Sequence, residues 1–183
     1  MRIAADPALW TQPTDPRLDA LRGSGIVTVI NCAAVGENGP VIATFVYGPD
    51  GELLTRYHKQ HLYAHEQSVF TPGDEDGCFE FAGLRFSLAT CYDNHFPDLT
   101  ARAADCDIHL ASSLYGTGGG IHERATIYPR IAHNSNMYVA LENHVGPAGP
   151  WTGCGGAAIW APGGVLLQEC DTIAPGIVTA TVG

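Results

Sequence analysis

The sequence predicts an α/β domain built from layered, mixed sheets. Two observations carry that prediction. Short β-branched or alternating runs outnumber helical stretches, and the helices come singly between strands. A third supports it: the 22 glycines and 12 prolines fall between the apolar runs and never gather into a linker. At 183 residues the chain is long enough for one compact domain with a hydrophobic core, and no repeat or boundary divides it.

Residues 13–22 predict a short helix, capped by Thr14 or Asp15 and stopped by Gly23. GIVTVINCAAV (25–35) is a β-branched run suited to a strand. The turn Glu37-Asn38-Gly39-Pro40 leads to a strand at 41–48, and Pro49-Asp50-Gly51 leads to another at 52–59, making an antiparallel meander. After the turn-rich stretch 71–77 come strands at 78–81 and 84–91, joined through Ala82-Gly83. A helix follows at 96–104, with Pro97 and Asp98 in its first turn. A strand at 107–113, a Gly-rich loop at 116–120, a helix at 122–134 and a strand at 137–143 come next. Strands at 155–161, 165–169 and 176–182 complete the pattern.

Composition excludes some classes of function. Nineteen acids against nine Lys and Arg give a net charge of −10, which disfavours nucleic acid, an anionic membrane surface and, mildly, anionic substrates. No apolar run is long enough to span a bilayer, and the first ten residues lack a signal-peptide pattern, so a cytoplasmic protein is expected. The six cysteines, Cys32, Cys78, Cys91, Cys106, Cys154 and Cys170, show no CxxC spacing. Most lie in apolar surroundings, where a thiol behaves as a small hydrophobe.

Cys91 differs from the rest. In SLATCYDNHFPDL (87–99) an apolar strand ends at Cys91 and a helix begins within a few residues. A nucleophile on such a bend is presented by the backbone, and a nearby helix N-terminus favours its thiolate. The backbone N–H of Tyr92 is then a candidate donor to a tetrahedral intermediate. The plain alternative is that Cys91 merely closes a buried strand. Lys59, at a strand end in RYHKQHLYAHE (56–66), can hold a cation over a site, with Glu66 seven residues on. Taken singly, each is equally an ordinary surface charge.

Together these segments resemble the nitrilase superfamily, the carbon–nitrogen hydrolases. GPDGELLTRYHKQHLYAHEQSVFTPGD (48–74), a short hairpin and ATCYDNHFPDL (89–99) follow the family's lysine-to-cysteine order and spacing. NSNMYVALENHVG (134–146) and CGGAAIWAPGGVLLQ (154–168) resemble its later strand and Gly-rich closing hairpin. The resemblance implies a four-layer αββα sandwich, usually paired into a homodimer, that cleaves a small amide, nitrile or N-carbamoyl compound without a metal or organic cofactor. It implies Cys91 as nucleophile through a thioester or thioimidate, Lys59 and the Tyr92 N–H as stabilisers of the tetrahedral intermediate, and Glu66 as a supporting acid. Tyr63, His95, Tyr115 and His122 are candidates for the pocket.

The same resemblance marks departures. The family's general-base glutamate belongs to a Phe-Pro-Glu-like segment before the lysine. Here only Glu37 and Glu52 precede Lys59, both in or beside hairpin turns, and neither matches. The helix and strand at 14–22 and 25–35 resemble the family's third strand region, so the first strands and helices are expected to be absent. Losing a positioned base typically costs ~10²–10⁴-fold in rate. The non-enzymatic alternative is therefore a related binding or assembly subunit. Ala157 stands where relatives often carry serine.

Three other patterns compete. His58, His61 and His65 would share a face if helical and could hold zinc, but Lys59 interrupts them in what reads as strand and loop. GTGGG (116–120) lacks the Lys-Ser/Thr of a phosphate cradle. A papain-like pairing of Cys91 with His133 or His144 would need a histidine base, whereas a lysine and a carboxylate accompany this cysteine.

Overall fold

A computed structural model describes residues 5–182. The chain forms two compact units, Met1–Phe79 and Glu80–Gly183.

The first unit opens on two 3₁₀ turns, Pro7–Leu9 and Pro16–Leu18, each with an aspartate at its N-cap and a proline in its first turn. The helix expected at 13–22 is reduced to the second of these. Proline restricts the residue before it, so Asp15 stays extended and the helix cannot start earlier; Leu18 alone is buried within the turn. Three antiparallel strands follow, β1 (Thr28–Gly36), β2 (Gly39–Tyr47) and β3 (Leu53–His58), in the order β1-β2-β3. Gly36 pairs with Gly39 across the first turn, where a Cβ at Gly36 would stand 2.6 Å from the Gly39 carbonyl oxygen. Leu18, Ala34, Val41, Ala43, Phe45 and Tyr47 make the apolar cluster of this unit. The Tyr47 hydroxyl ties the preceding loop to the sheet by donating to the Pro13 carbonyl at 2.8 Å.

The second unit holds most of a six-stranded sheet, which the chain enters along β4 (Gly77–Phe81). Its other strands are β5 (Leu84–Thr90), β6 (Ile108–Ser113), β7 (Tyr138–Asn143), β10 (Ala158–Ala161) and β11 (Val165–Glu169), in the order β11-β10-β7-β6-β5-β4. β5, β6 and β7 are parallel, while β10 runs antiparallel to β7 and to β11. Parallel neighbours need crossovers, supplied by α1 (Pro97–Arg102) and α2 (Gly119–Ser135).

Register puts Ser87, Ala89, His109, Ala111, Ser113, Val139, Leu141 and Asn143 on one sheet face. Ala111, Val139 and Leu141 from that face cluster with Ile127, Tyr128, Ile131 and Ala132 of α2. Tyr128 stacks on Trp160 with ring centroids 5.7 Å apart. α2 begins earlier than the expected residue 122, at Gly119, and stops where Asn136 turns left-handed at φ +50°.

Two expectations fail here. Residues 176–182 form no strand: they pair with no ladder, and Ile177 is 90% exposed. A β-rich run without a partner strand gains nothing from extension. Conversely, β8 (Val145–Ala148) and β9 (Trp151–Cys154) form a hairpin that the sequence concealed, because two glycines and two prolines in GPAGP demote a strand reading. Among the described residues no helix is long and apolar enough to cross a membrane.

Candidate active site

In the second unit β5 runs straight into a five-residue 3₁₀ turn, Cys91–His95, with α1 beginning two residues later. Cys91 adopts φ +50°, left-handed for a residue with a Cβ, at a cost of roughly 1–2 kcal/mol. Its neighbours hold that bend. The Thr90 N–H donates to Asp93 Oδ2 at 3.0 Å, and Asp93 is fully buried. Asn94 Nδ2 donates to the Cys91 carbonyl at 3.0 Å. Behind Asn94, its Oδ1 lies 2.8 Å from His109 Nε2, and His109 Nδ1 lies 2.9 Å from Ser87 Oγ. Asn94, His109 and Ser87 were missed in the sequence, where the only available signal was two polar side chains on inward-facing strand positions.

Beside this turn sits an aromatic and polar group. The Tyr92 ring packs against His95 and Phe96, each at 5.1 Å between centroids. His95 Nε2 lies 3.5 Å from the Tyr115 hydroxyl and 3.5 Å from Glu123 Oε2. The Tyr128 hydroxyl donates to that of Tyr115 at 3.4 Å and lies 2.8 Å from Ser113 Oγ. Burial pushes both tyrosine hydroxyls well above their ordinary pKa. The Tyr115 backbone is fixed from the next strand: its N–H donates to Asn143 Oδ1 at 2.9 Å, while Asn143 Nδ2 donates to the Gly155 carbonyl at 2.6 Å. Of the expected pocket residues, His95 and Tyr115 therefore meet, whereas His122 is exposed on α2.

The first unit brings together Lys59 and Glu66. Lys59 follows the last residue of β3; its N–H donates to Ile42 O and its carbonyl accepts from Gly73 N–H, both at 2.9 Å. Gly73 allows this approach, since a Cβ there would lie 2.3 Å from the His58 carbonyl oxygen. The Lys59 ammonium lies 2.9 and 2.6 Å from the two carboxylate oxygens of Glu66. Its side chain is fully buried, so the carboxylate supplies the countercharge a buried cation needs. Glu66 Oε2 also accepts the Tyr63 N–H at 2.7 Å, and the exposed Tyr63 ring stands edge-on to His65 at 5.6 Å.

The competing patterns do not assemble. His58 ends β3 while His61 and His65 lie in the turns beyond it, so the helix that would align them is missing. Among the described residues no cluster of three or more His, Cys, Asp or Glu could hold a metal ion. Part of the Gly-rich loop is the first turn of α2. His133 and His144 face the backbone carbonyls of Gly163 and Pro147, at 3.4 and 3.1 Å. Glu37 and Glu52 occupy the β1–β2 and β2–β3 turns, and Ala157 accepts the Cys170 N–H at 2.8 Å.

Comparison with known proteins agrees with the class that the cysteine turn and the strand order suggest. The carbon–nitrogen hydrolase family model matches residues 18–183, so the chain belongs to that family. An amidase from Nesterenkonia sp. superposes with a TM-score of 0.79 at 29% identity, covering 87% of this chain and 62% of that one. A nitrilase-superfamily protein from Saccharomyces cerevisiae shares the fold with a TM-score of 0.80 at 20% identity, covering 86% of this chain and 60% of its own. The omega-amidase of Homo sapiens is 36% identical over 142 residues, 69% of this chain and 50% of that protein. An (R)-stereoselective amidase from Pseudomonas sp. is 28% identical over 132 residues, 70% of this chain and 47% of its own. The chain thus spans about half the length of these two relatives. Its α/β fold is that of the nitrilase superfamily.

Proposed function

We propose that this chain hydrolyses the C–N bond of a small amide through a thioester on Cys91. The observation that carries this reading is the left-handed backbone of Cys91 at the end of β5, a strained conformation that recurs where a nucleophile must stand clear of its sheet. Cys91 Sγ attacks the carbonyl carbon; the S–C bond forms, the C–N bond breaks, and ammonia leaves carrying the thiol proton. Water then attacks the thioester, releasing the carboxylic acid and restoring the thiol.

Each further role follows from what the residue can offer. The Tyr92 N–H is a fixed donor for the oxyanion, and Lys59 is a cation to set against its charge. Glu66 pairs with Lys59 and orients it. Tyr115 and His95 are the proposed pocket residues beside the thiol, and Tyr63 and His122 are candidates that rest on the sequence alone. None of these steps calls for a metal or organic cofactor. A small amide is favoured over a nitrile or N-carbamoyl compound because relatives of this chain are named as amidases, and one structural neighbour, 27% identical with a TM-score of 0.78, is an amidase bound to butyramide. A homodimer is the proposed assembly, to be read from light scattering.

The test is ammonia release from a panel of small amides, nitriles and N-carbamoyl amino acids, with Cys91→Ala as control. Release that vanishes in the control supports the reading. A folded chain that releases none points instead to a binding or assembly subunit.

A further inference from the structure

The nucleophile turn rests on a buried hydrogen-bond chain that the mechanism above leaves idle: Ser87, His109, Asn94 and the Cys91 carbonyl. Exposure is 2% for Ser87, 3% for Asn94 and 0% for His109, so these groups pair with one another away from bulk solvent. The position of every hydrogen then follows from chemistry. A carbonyl only accepts, so the amide nitrogen of Asn94 faces Cys91 and its oxygen faces His109. That oxygen also only accepts, so His109 Nε2 carries a hydrogen. Burial holds the imidazole neutral, pulling its pKa down to about 4, so Nδ1 is bare and the Ser87 hydroxyl donates to it. One arrangement satisfies all three contacts, and it runs in one direction, from Ser87 to the Cys91 carbonyl.

The peptide plane carries that order to the site. The Cys91–Tyr92 bond is trans, so the Cys91 C=O and the Tyr92 N–H lie in one plane and point opposite ways. Whatever holds the carbonyl also aims the N–H. We propose that His109 is a positioning residue which, through Asn94, fixes this plane and directs the Tyr92 N–H at the oxyanion formed on Cys91. The proposal rests on Cys91 being the nucleophile. It assigns a function to a histidine that lies in the sheet, on the strand beside the nucleophile's own.

The experiment compares two reactions of Cys91 in the full chain, followed by mass spectrometry. Acylation by p-nitrophenyl acetate passes through an oxyanion: the S–C bond forms, the ester C–O bond breaks, p-nitrophenolate leaves and the thiol proton goes to buffer. Alkylation by iodoacetamide displaces iodide and forms no oxyanion. In His109→Leu, acylation slows roughly tenfold, part of the about 10²–10³-fold lost when an oxyanion donor is deleted, while alkylation stays within about threefold. Asn94→Leu slows acylation more, and His109→Gln, which keeps a donor toward Asn94, restores it. If His109→Leu does not fold, Asn94→Leu and His109→Gln decide by the same ratio. Acylation of His109→Leu at the wild-type rate, or equal loss in both reactions, overturns the proposal alone. A wild-type chain whose Cys91 is not acylated overturns the nucleophile reading, and this proposal with it.

Discussion

Lys59 Nζ lies 2.6 Å from Glu66 Oε2, with the lysine side chain wholly buried and the glutamate 21% exposed. The asymmetry matters because the two partners leave different things behind when removed. Without Glu66 a buried ammonium is stranded; without Lys59 the carboxylate can turn to water.

Glu66→Leu is therefore expected to destabilise the fold by about 3–5 kcal/mol, the range for a buried pair broken on one side. Lys59→Met, of similar length and uncharged, should cost much less stability yet abolish turnover. Urea melts beside ammonia assays separate the two effects. Equal stability losses would mean that the pair is mutual structural support and no more.

The left-handed backbone of Cys91 makes a second prediction. Cys91→Ala keeps a Cβ in that conformation, while Cys91→Gly removes it. Cys91→Gly should be the more stable of the two inactive variants by about 1 kcal/mol, the reverse of the usual order for this pair. Thermal melts of the two proteins check it, and a more stable Cys91→Ala would argue that the bend carries no strain.

His109 predicts how stability depends on pH. Its pKa is depressed from an ordinary 6.5 to about 4 by burial, so the unfolded chain binds a proton there before the folded chain does. The stability it confers is present above pH 6.5 and is lost as pH falls through the window from 6.5 to about 4. The full loss is on the order of 3 kcal/mol. His109→Gln should flatten that slope in urea melts at pH 4.5, 5.5 and 7. An unchanged slope would show that other groups set it.

Arg124 ties α2 to the closing hairpin, with Nη1 donating to Gly156 O at 2.8 Å and Nη2 2.6 Å from Glu169 Oε1. Two contacts in different directions suit a guanidinium fork better than a single ammonium. Arg124→Lys should lose about 1–2 kcal/mol and Arg124→Ala roughly 2–3 kcal/mol of stability. If the lysine variant melts with the wild type, only one of the contacts contributes.

What was legible in the sequence was local. Alternating and β-branched runs located β1, β2, β3, β5, β6 and β7, because side-chain period follows backbone geometry wherever a strand is half-buried. Cys91, Tyr92, Lys59 and Glu66 are proposed as site residues from the order and spacing of two segments. Features that depend on a distant partner were not legible. Residues 176–182 have a strand's composition but no ladder to join, and the β8–β9 hairpin forms despite prolines that speak against it.

The sequence by itself determined the family and the α/β class and supplied the candidate site residues, since each is read from residue types in local segments. Tertiary structure alone decided how they are held. Lys59 and Glu66 pair because the chain folds back after β3, and His109 meets Asn94 because β5 and β6 lie side by side in register. Hydrogen bonds of this kind join residues 7 to 22 positions apart, and only the folded backbone sets such distances.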